Sequence, residues 1–370
     1  MMRACALVLG LLIAAVAAAA AAADGVLPFA SASAAFERAL TPRVFEFPRD
    51  HGAHPTFAHE WWYVTGHLAA PSGERFGFEL TFFRVALVPA AATVPADASR
   101  WRARQIYIAH FALTDIGRGN FHFAEHLARD ALGLSGAATD PLKVWVDDWS
   151  LAQAGTNWQI RAAAQGYVLQ VRMSAELAPV LNGDRGLSQK SNNPADASYY
   201  YSIPRLAVRG TLTRDGRQLD VSGSAWLDRE WGSGGLGADE VGWDWFALQL
   251  SDGSELMFYS LRRRDGRRDP HSAGTWVAAD GAVRALTDAD VTIAVQDHWA
   301  SPRGGRYPAR WRVEVPALAL SVDLKPALAD QELVGRPRYW EGAVDISGRS
   351  EGRNLSGQGY VELVGYARAP

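Results

Sequence analysis

The chain has 370 residues, enough for two ordinary domains or one large one. Hydrophobic residues make up 48% and charged residues 21%, which excludes a disordered chain. The formal net charge is −3 and no basic run stands out, which excludes nucleic acid as a partner on electrostatic grounds.

The first residues, MMRACALVLGLLIAAVAAAAAAADG, read as a signal peptide over residues 1–23. Arg3 supplies the positive start, an apolar run follows, and an Ala-x-Ala cleavage site falls near Ala23. The single cysteine, Cys5, would leave with this peptide. The mature chain would then enter a bacterial periplasm or the exterior without any disulfide. Helical periodicity is scarce beyond this point, and two short helices are expected, at Ser31–Leu40 and at Phe123–Ala131.

The stretch His59–Leu68, HEWWYVTGHL, opens the β-rich part. A zinc-protease helix would need a second histidine four residues after the first, but that position is Tyr63, so no metal site is assigned. Its aromatic and β-branched content makes it a strand with alternating faces. His59, Trp61, Tyr63, Thr65 and His67 share one face; Glu60, Trp62, Val64, Gly66 and Leu68 share the other. Glu60 needs either a partner, for which Arg84 is the candidate, or a raised pKa that would make it a general acid. Farther on, His110 stands alone among apolar neighbours in YIAHFALTD, and a core role competes there with ligand contact. The polar loop GDRGLSQKSNNPADASYYYSIPR could cover a cavity mouth, with Lys190 and Tyr199 to Tyr201 near a ligand. In AWLDREWGSGG, Trp226, Asp228 and Glu230 share one strand face, and Leu227, Arg229 and Trp231 the other. Acids beside tryptophan at a Gly-rich bend suit a cavity wall; a charged strand end bridged through Arg229 is the competing reading. In VGWDWFALQL, Asp244 sits between Trp243 and Trp245.

Two internal echoes indicate a duplication. WWYVTGHLAAPSGERFGFELTFFR and WDWFALQLSDGSELMFYSLR each run from a tryptophan-rich strand through a turn to an aromatic strand ending in arginine, Arg84 or Arg262. GTLTRDGRQLDVSGSAWLDREW and GAVDISGRSEGRNLSGQGYVEL each place a glycine (Gly223, Gly357), then an aromatic (Trp226, Tyr360), then an acid (Asp228, Glu362) at the same offsets. Two β-barrel halves are therefore expected, over residues 24–232 and 233–370, joined in the Gly-rich segment Gly232–Val241. GSGGLG in this joint is too weak a glycine pattern, in an all-β setting, to indicate a nucleotide.

HPTFAHEWWYVTGHL, AHFALTD, FAEHLARDALGLSGA, NGDRGLSQKS, ASYYYSIPR, AWLDREWGS, GWDWFALQL and QGYVELVGY together resemble the AttH/CrtC-like family of bacterial secreted proteins. The resemblance spans nearly the whole mature chain. It implies two lipocalin-like antiparallel β-barrel domains in tandem. It also implies action beside an ABC transporter at the cell envelope, or, in the carotenoid-hydrating branch, cofactor-free addition of water to an isolated double bond. That branch carries His-Asp-His-Asn-Trp-Gly where this chain has LDREWG: Asp228 and Trp231 are kept, and Leu227 and Arg229 replace the histidines. A later stretch that supplies an acid in those enzymes reads ELMFYSLR here, with Glu255 at its start.

The functional expectation is a carrier of a hydrophobic or amphiphilic, lipid- or isoprenoid-like ligand serving an envelope ABC permease. The alternative is a hydratase, hydrolase or isomerase on such a molecule, with Glu60, Asp228 or Asp244 as the acid. The expected ligand surface comprises Trp61, Trp62, Tyr63, Arg84, His110, Tyr200, Trp226, Glu230, Trp231, Trp243 and Trp245. Neither a metal nor a cofactor is expected.

Overall fold

The computed structural model describes residues 35–92, 99 and 102–367. The expected signal peptide lies outside the described residues, as do residues 31–34 of the first expected helix; residues 35–40 form a turn and irregular chain. Among the described residues, helix is confined to three 3-10 turns, at Arg49–His51, Asp288–Asp290 and Pro316–Leu318.

The rest of the regular structure is antiparallel strand in two sheets, one of 13 strands within residues 59–232 and one of 10 strands within residues 240–363. Each curls into a lipocalin-like barrel. The second expected helix is a correction: it falls mostly in the strand Asn120–Arg129. This strand is the edge of the first sheet and is only partly buried, so it shows little of the in–out alternation that marks a strand in sequence.

The centre of both sheets has one plan. In the first, the opening strand His59–Ala69 lies between its hairpin partner Arg75–Ala86 and the closing strand Arg217–Gly232. In the second, Glu240–Leu250 lies between Glu255–Arg263 and the closing strand Arg353–Leu363. The repeated glycines serve this plan. A Cβ on Gly223 would stand 1.9 Å from the His67 carbonyl oxygen, and one on Gly357 would stand 2.4 Å from that of Gln249. Only glycine lets each closing strand lie this close to its opening strand.

Alternation then builds three cores. Trp62, Val64 and Leu68 point into the first barrel, and Phe246, Leu248 and Leu250 into the second. The opposite faces of both opening strands are also buried, because the two sheets pack on each other through Tyr63, Tyr200, Trp226, Trp245, Tyr259 and Tyr360. Each large side chain buried this way contributes about 1.5–3 kcal/mol.

Candidate active site

The inter-sheet core does not close completely. A cavity opens where the two opening strands face each other. The first half contributes His59, Trp61, Tyr63, Phe83, Lys190, Ser198, Tyr200, Asp228 and Glu230. The joint contributes Gly234, Gly235 and Leu236, and the second half Trp243, Trp245, Tyr259, Leu261, Tyr339 and Glu362. Strand parity explains the selection: these side chains lie on the strand faces that turn away from the barrel interiors.

Asp228 is 3% exposed and lies opposite Tyr63 and Ser202 in the sheet. Its Oδ1 accepts hydrogen bonds from Ser202 Oγ at 2.6 Å and Trp226 Nε1 at 2.6 Å. Its Oδ2 accepts from the Tyr200 hydroxyl at 2.5 Å. Trp245 Nε1 in turn donates to the Tyr200 oxygen at 3.1 Å, which aims the tyrosine proton at the acid. Burial pushes the Asp228 carboxyl up, the three donors pull it down, and it settles at about 7. Such a group can give or take a proton near neutrality.

Glu230, on the same strand face, is neutralised. Lys190 Nζ lies 3.1 Å from its Oε1, and Ser198 Oγ donates to the same oxygen. The ammonium also donates to Ser188 Oγ at 2.9 Å and lies 4.3 Å from the centre of the Tyr259 ring. Burial alone would lower the Lys190 pKa, but Glu230 and its other neighbours hold it above the usual lysine value, so it stays charged. Glu362, on the opposite wall, is half-buried, and desolvation carries it up to about 8 against a hydrogen bond from Trp243.

The remaining acid candidates are tied to arginine. Glu60 points into the first barrel, where Arg84 Nε meets Oε1 at 2.5 Å and Arg229 Nη2 meets Oε2 at 2.9 Å. The His54 backbone N–H donates to both oxygens at 3.1 Å. Burial raises the Glu60 carboxyl, but Arg84, His54 and Arg229 overcome it and hold it well below the usual carboxylate range. Glu60 as a general acid is therefore corrected: it is a permanently charged staple. Asp244 accepts from Arg262 Nε at 3.0 Å and from the Tyr366 hydroxyl at 3.0 Å, and burial lifts it only to about 6. It too lies outside the cavity lining. Glu255 is bonded to Arg205 away from the cavity.

Of the expected ligand surface, Trp61, Tyr63, Tyr200, Glu230, Trp243 and Trp245 line the cavity. Five residues do not. Trp62 and Trp231 fill the first barrel, where Arg229 stacks 4.0 Å over the Trp62 ring. Arg84 is consumed by Glu60 and by the His54 and Phe57 carbonyls. His110 sits behind the wall, with Nδ1 2.8 Å from the Tyr339 hydroxyl and Nε2 3.0 Å from Glu125. Trp226 serves from beneath, through its bond to Asp228. The histidines of HEWWYVTGHL are each held by a carbonyl: His59 Nε2 by Gly234 at 2.8 Å and His67 Nε2 by Gly359 at 2.9 Å. Sequence reasoning passed over Glu362, Tyr259, Tyr339 and Phe83 as site residues. For Glu362 the signal was the duplication itself, which sets it at the position of Asp228.

A family model described as AttH-like matches residues 38–366. A crystal structure of an AttH from Nitrosomonas europaea is 34% identical, covers 90% of this chain and 100% of that one, and superposes with a TM-score of 0.79. Kievitone hydratase from Nectria haematococca, at 16% identity, shares the fold over 92% of this chain and 99% of its own with a TM-score of 0.67. The dehydratase asqC of Emericella nidulans is 24% identical over 220 residues, which is 56% of this chain. This chain spans only 61% of the length of that curated relative. The duplicated barrels and the motifs that run through them have one source: the chain belongs to the AttH-like family.

Proposed function

We propose that this chain is a hydro-lyase that adds water to, or removes it from, a hydrophobic or amphiphilic substrate held between the two barrels. The observation that carries this reading is Asp228. It lines an aromatic cavity with three neutral donors on its carboxylate and a proton affinity near neutral pH. A buried carboxyl of this kind exchanges protons with carbon or with a departing hydroxyl. The faces of Trp61, Trp243, Trp245 and Tyr259 can steady positive charge developing on an apolar substrate. Water is scarce in such a lining, which strengthens each of these interactions. The names hydratase and dehydratase borne by two relatives point the same way.

A ligand carrier would need the same apolar walls but no acid poised near neutrality. Incubation of the full chain with tertiary isoprenoid alcohols, isoprenoid alkenes, β-hydroxy ketones and the matching enones in deuterated water separates the two. The hydro-lyase reading expects deuterium in the recovered substrate or product, lost in Asp228→Asn with the fold intact. Tight binding of a panel member without any exchange would favour the carrier.

A further inference from the structure

The duplication sets Asp228 and Glu362 at equivalent positions, and folding brings them to one place. Asp228 stands opposite Tyr63 in the first sheet, and Glu362 stands opposite Trp245 in the second. Tyr63 and Trp245 meet edge to face with ring centroids 5.0 Å apart. The two acids therefore line the same cavity from opposite walls, and the charge of one is felt by the other. Their hydrogen-bond supply is unequal. Asp228 receives three donors, Tyr200, Ser202 and Trp226. For Glu362 the donor is Trp243. Donors aimed at a carboxylate stabilise its charge, so negative charge belongs on Asp228 and the shared proton on Glu362.

Resting on the hydro-lyase reading, we infer that Asp228 and Glu362 form one proton-sharing pair across the barrel interface, Asp228 the base and Glu362 the acid of water elimination. Asp228 takes the proton from the carbon beside the one that bears the hydroxyl. The electron pair of that C–H bond becomes the second bond of the alkene. The C–O bond breaks, and Glu362 gives its proton to the departing oxygen, which leaves as water. Addition runs the same steps backwards, from protonated Asp228 and ionised Glu362. Other charged and titratable groups face the pair as well. On the Asp228 side Glu230, paired with Lys190, adds its charge to what raises both acids. On the Glu362 side, Glu341 is its neighbour across the strand; it accepts from the Tyr63 hydroxyl at 2.6 Å, and burial with the nearby Glu362 and Glu79 carboxyls raises it well above the usual carboxylate range.

A carboxyl-resolved NMR titration of the full chain, its Asp228→Asn and its Glu362→Gln variants tests the pair. Among the carboxyls that titrate above the usual range, two should be coupled, the later of them absent from Glu362→Gln. Asp228→Asn should lower the Glu362 midpoint by about one pH unit, whereas Glu362→Gln should leave the Asp228 midpoint nearly in place. The reverse asymmetry, or two midpoints that ignore each other, would overturn the assignment. The aldol adduct of acetone and benzaldehyde, a β-hydroxy ketone, then serves as a kinetic probe in deuterated water. Glu362→Gln should keep exchange at the carbon next to the ketone while elimination drops at least about 100-fold; Asp228→Asn should lose both. Equal elimination by Glu362→Gln and the native chain would refute the acid role. A native chain inert to this probe counts against the hydro-lyase reading for such substrates and leaves the titration to decide the pair.

Discussion

The inside of each barrel and the space between the barrels supply their acids with different partners. Inside, Glu60 meets Arg84 and Arg229, and Asp244 meets Arg262. Between the barrels, Asp228 and Glu362 are surrounded by tyrosine, serine and indole donors. The same side-chain chemistry thus yields a fixed charge at Glu60 and a movable proton at Asp228 and Glu362. The number of full positive charges matters: two guanidiniums hold the charged form of Glu60, whereas the single one at Asp244 or Glu255 and the neutral donors at Asp228 and Glu362 only partly offset desolvation.

The largest effect that could break this comparison is on turnover. Asp228→Asn should lower water addition or elimination by about 100- to 10,000-fold, measured by product formation, while the circular dichroism spectrum and melting point stay close to native. Glu60→Ala should do the reverse. It strands two buried guanidiniums, so denaturant unfolding should show a loss of about 3–5 kcal/mol. A Glu60→Ala protein as stable as native would show that the arginine network is not a staple.

A pH series sharpens the comparison at smaller amplitude. Asp228 at about 7, Glu362 at about 8 and Glu255 at about 8 hold protons that the unfolded chain has already released, so they make stability fall as pH rises. His51, His59 and His67, lowered to about 4 by burial, have the opposite slope, but only below the unfolded histidine value of 6.5. Above 6.5 the acids act alone. The melting point should therefore drop between about pH 6.5 and 8.5, by the equivalent of roughly 1–3 kcal/mol, and the drop should shrink in Asp228→Asn. The smallest expected effect is that of Trp245→Phe, which removes the donor that orients Tyr200; kcat should fall by roughly fivefold with little change in stability.

Much of this arrangement was legible in the chain before folding. The alternation of HEWWYVTGHL put Trp62 and Tyr63 on opposite faces without saying which face is the barrel interior, and the Gly223 and Gly357 echoes marked the two closing strands. Arg84 was the foreseeable partner of Glu60, because a hairpin brings them together. Arg229 was not, since it arrives on a closing strand far along the chain and displaces any solvated role. The segment Phe123–Ala131 misled because a half-buried edge strand carries apolar residues at spacings that also suit a helix. Most of all, weighing acids by their tryptophan neighbours in sequence favoured Glu60 and Asp244. Strand parity turns those two inward to arginine. Glu362, with no tryptophan beside it in sequence, reaches the tryptophan-lined cavity through a contact between sheets that no local pattern encodes.

The claim that proton transfer belongs to the inter-barrel acids and not to the arginine-bound ones is met most directly by solvent deuterium incorporation. The native chain, Asp228→Asn and Asp244→Asn would be incubated side by side with the same alcohols, alkenes, hydroxy ketones and enones. The account predicts incorporation by the native chain, retention in Asp244→Asn and loss in Asp228→Asn. Incorporation that survives in Asp228→Asn and disappears in a folded Asp244→Asn would contradict it.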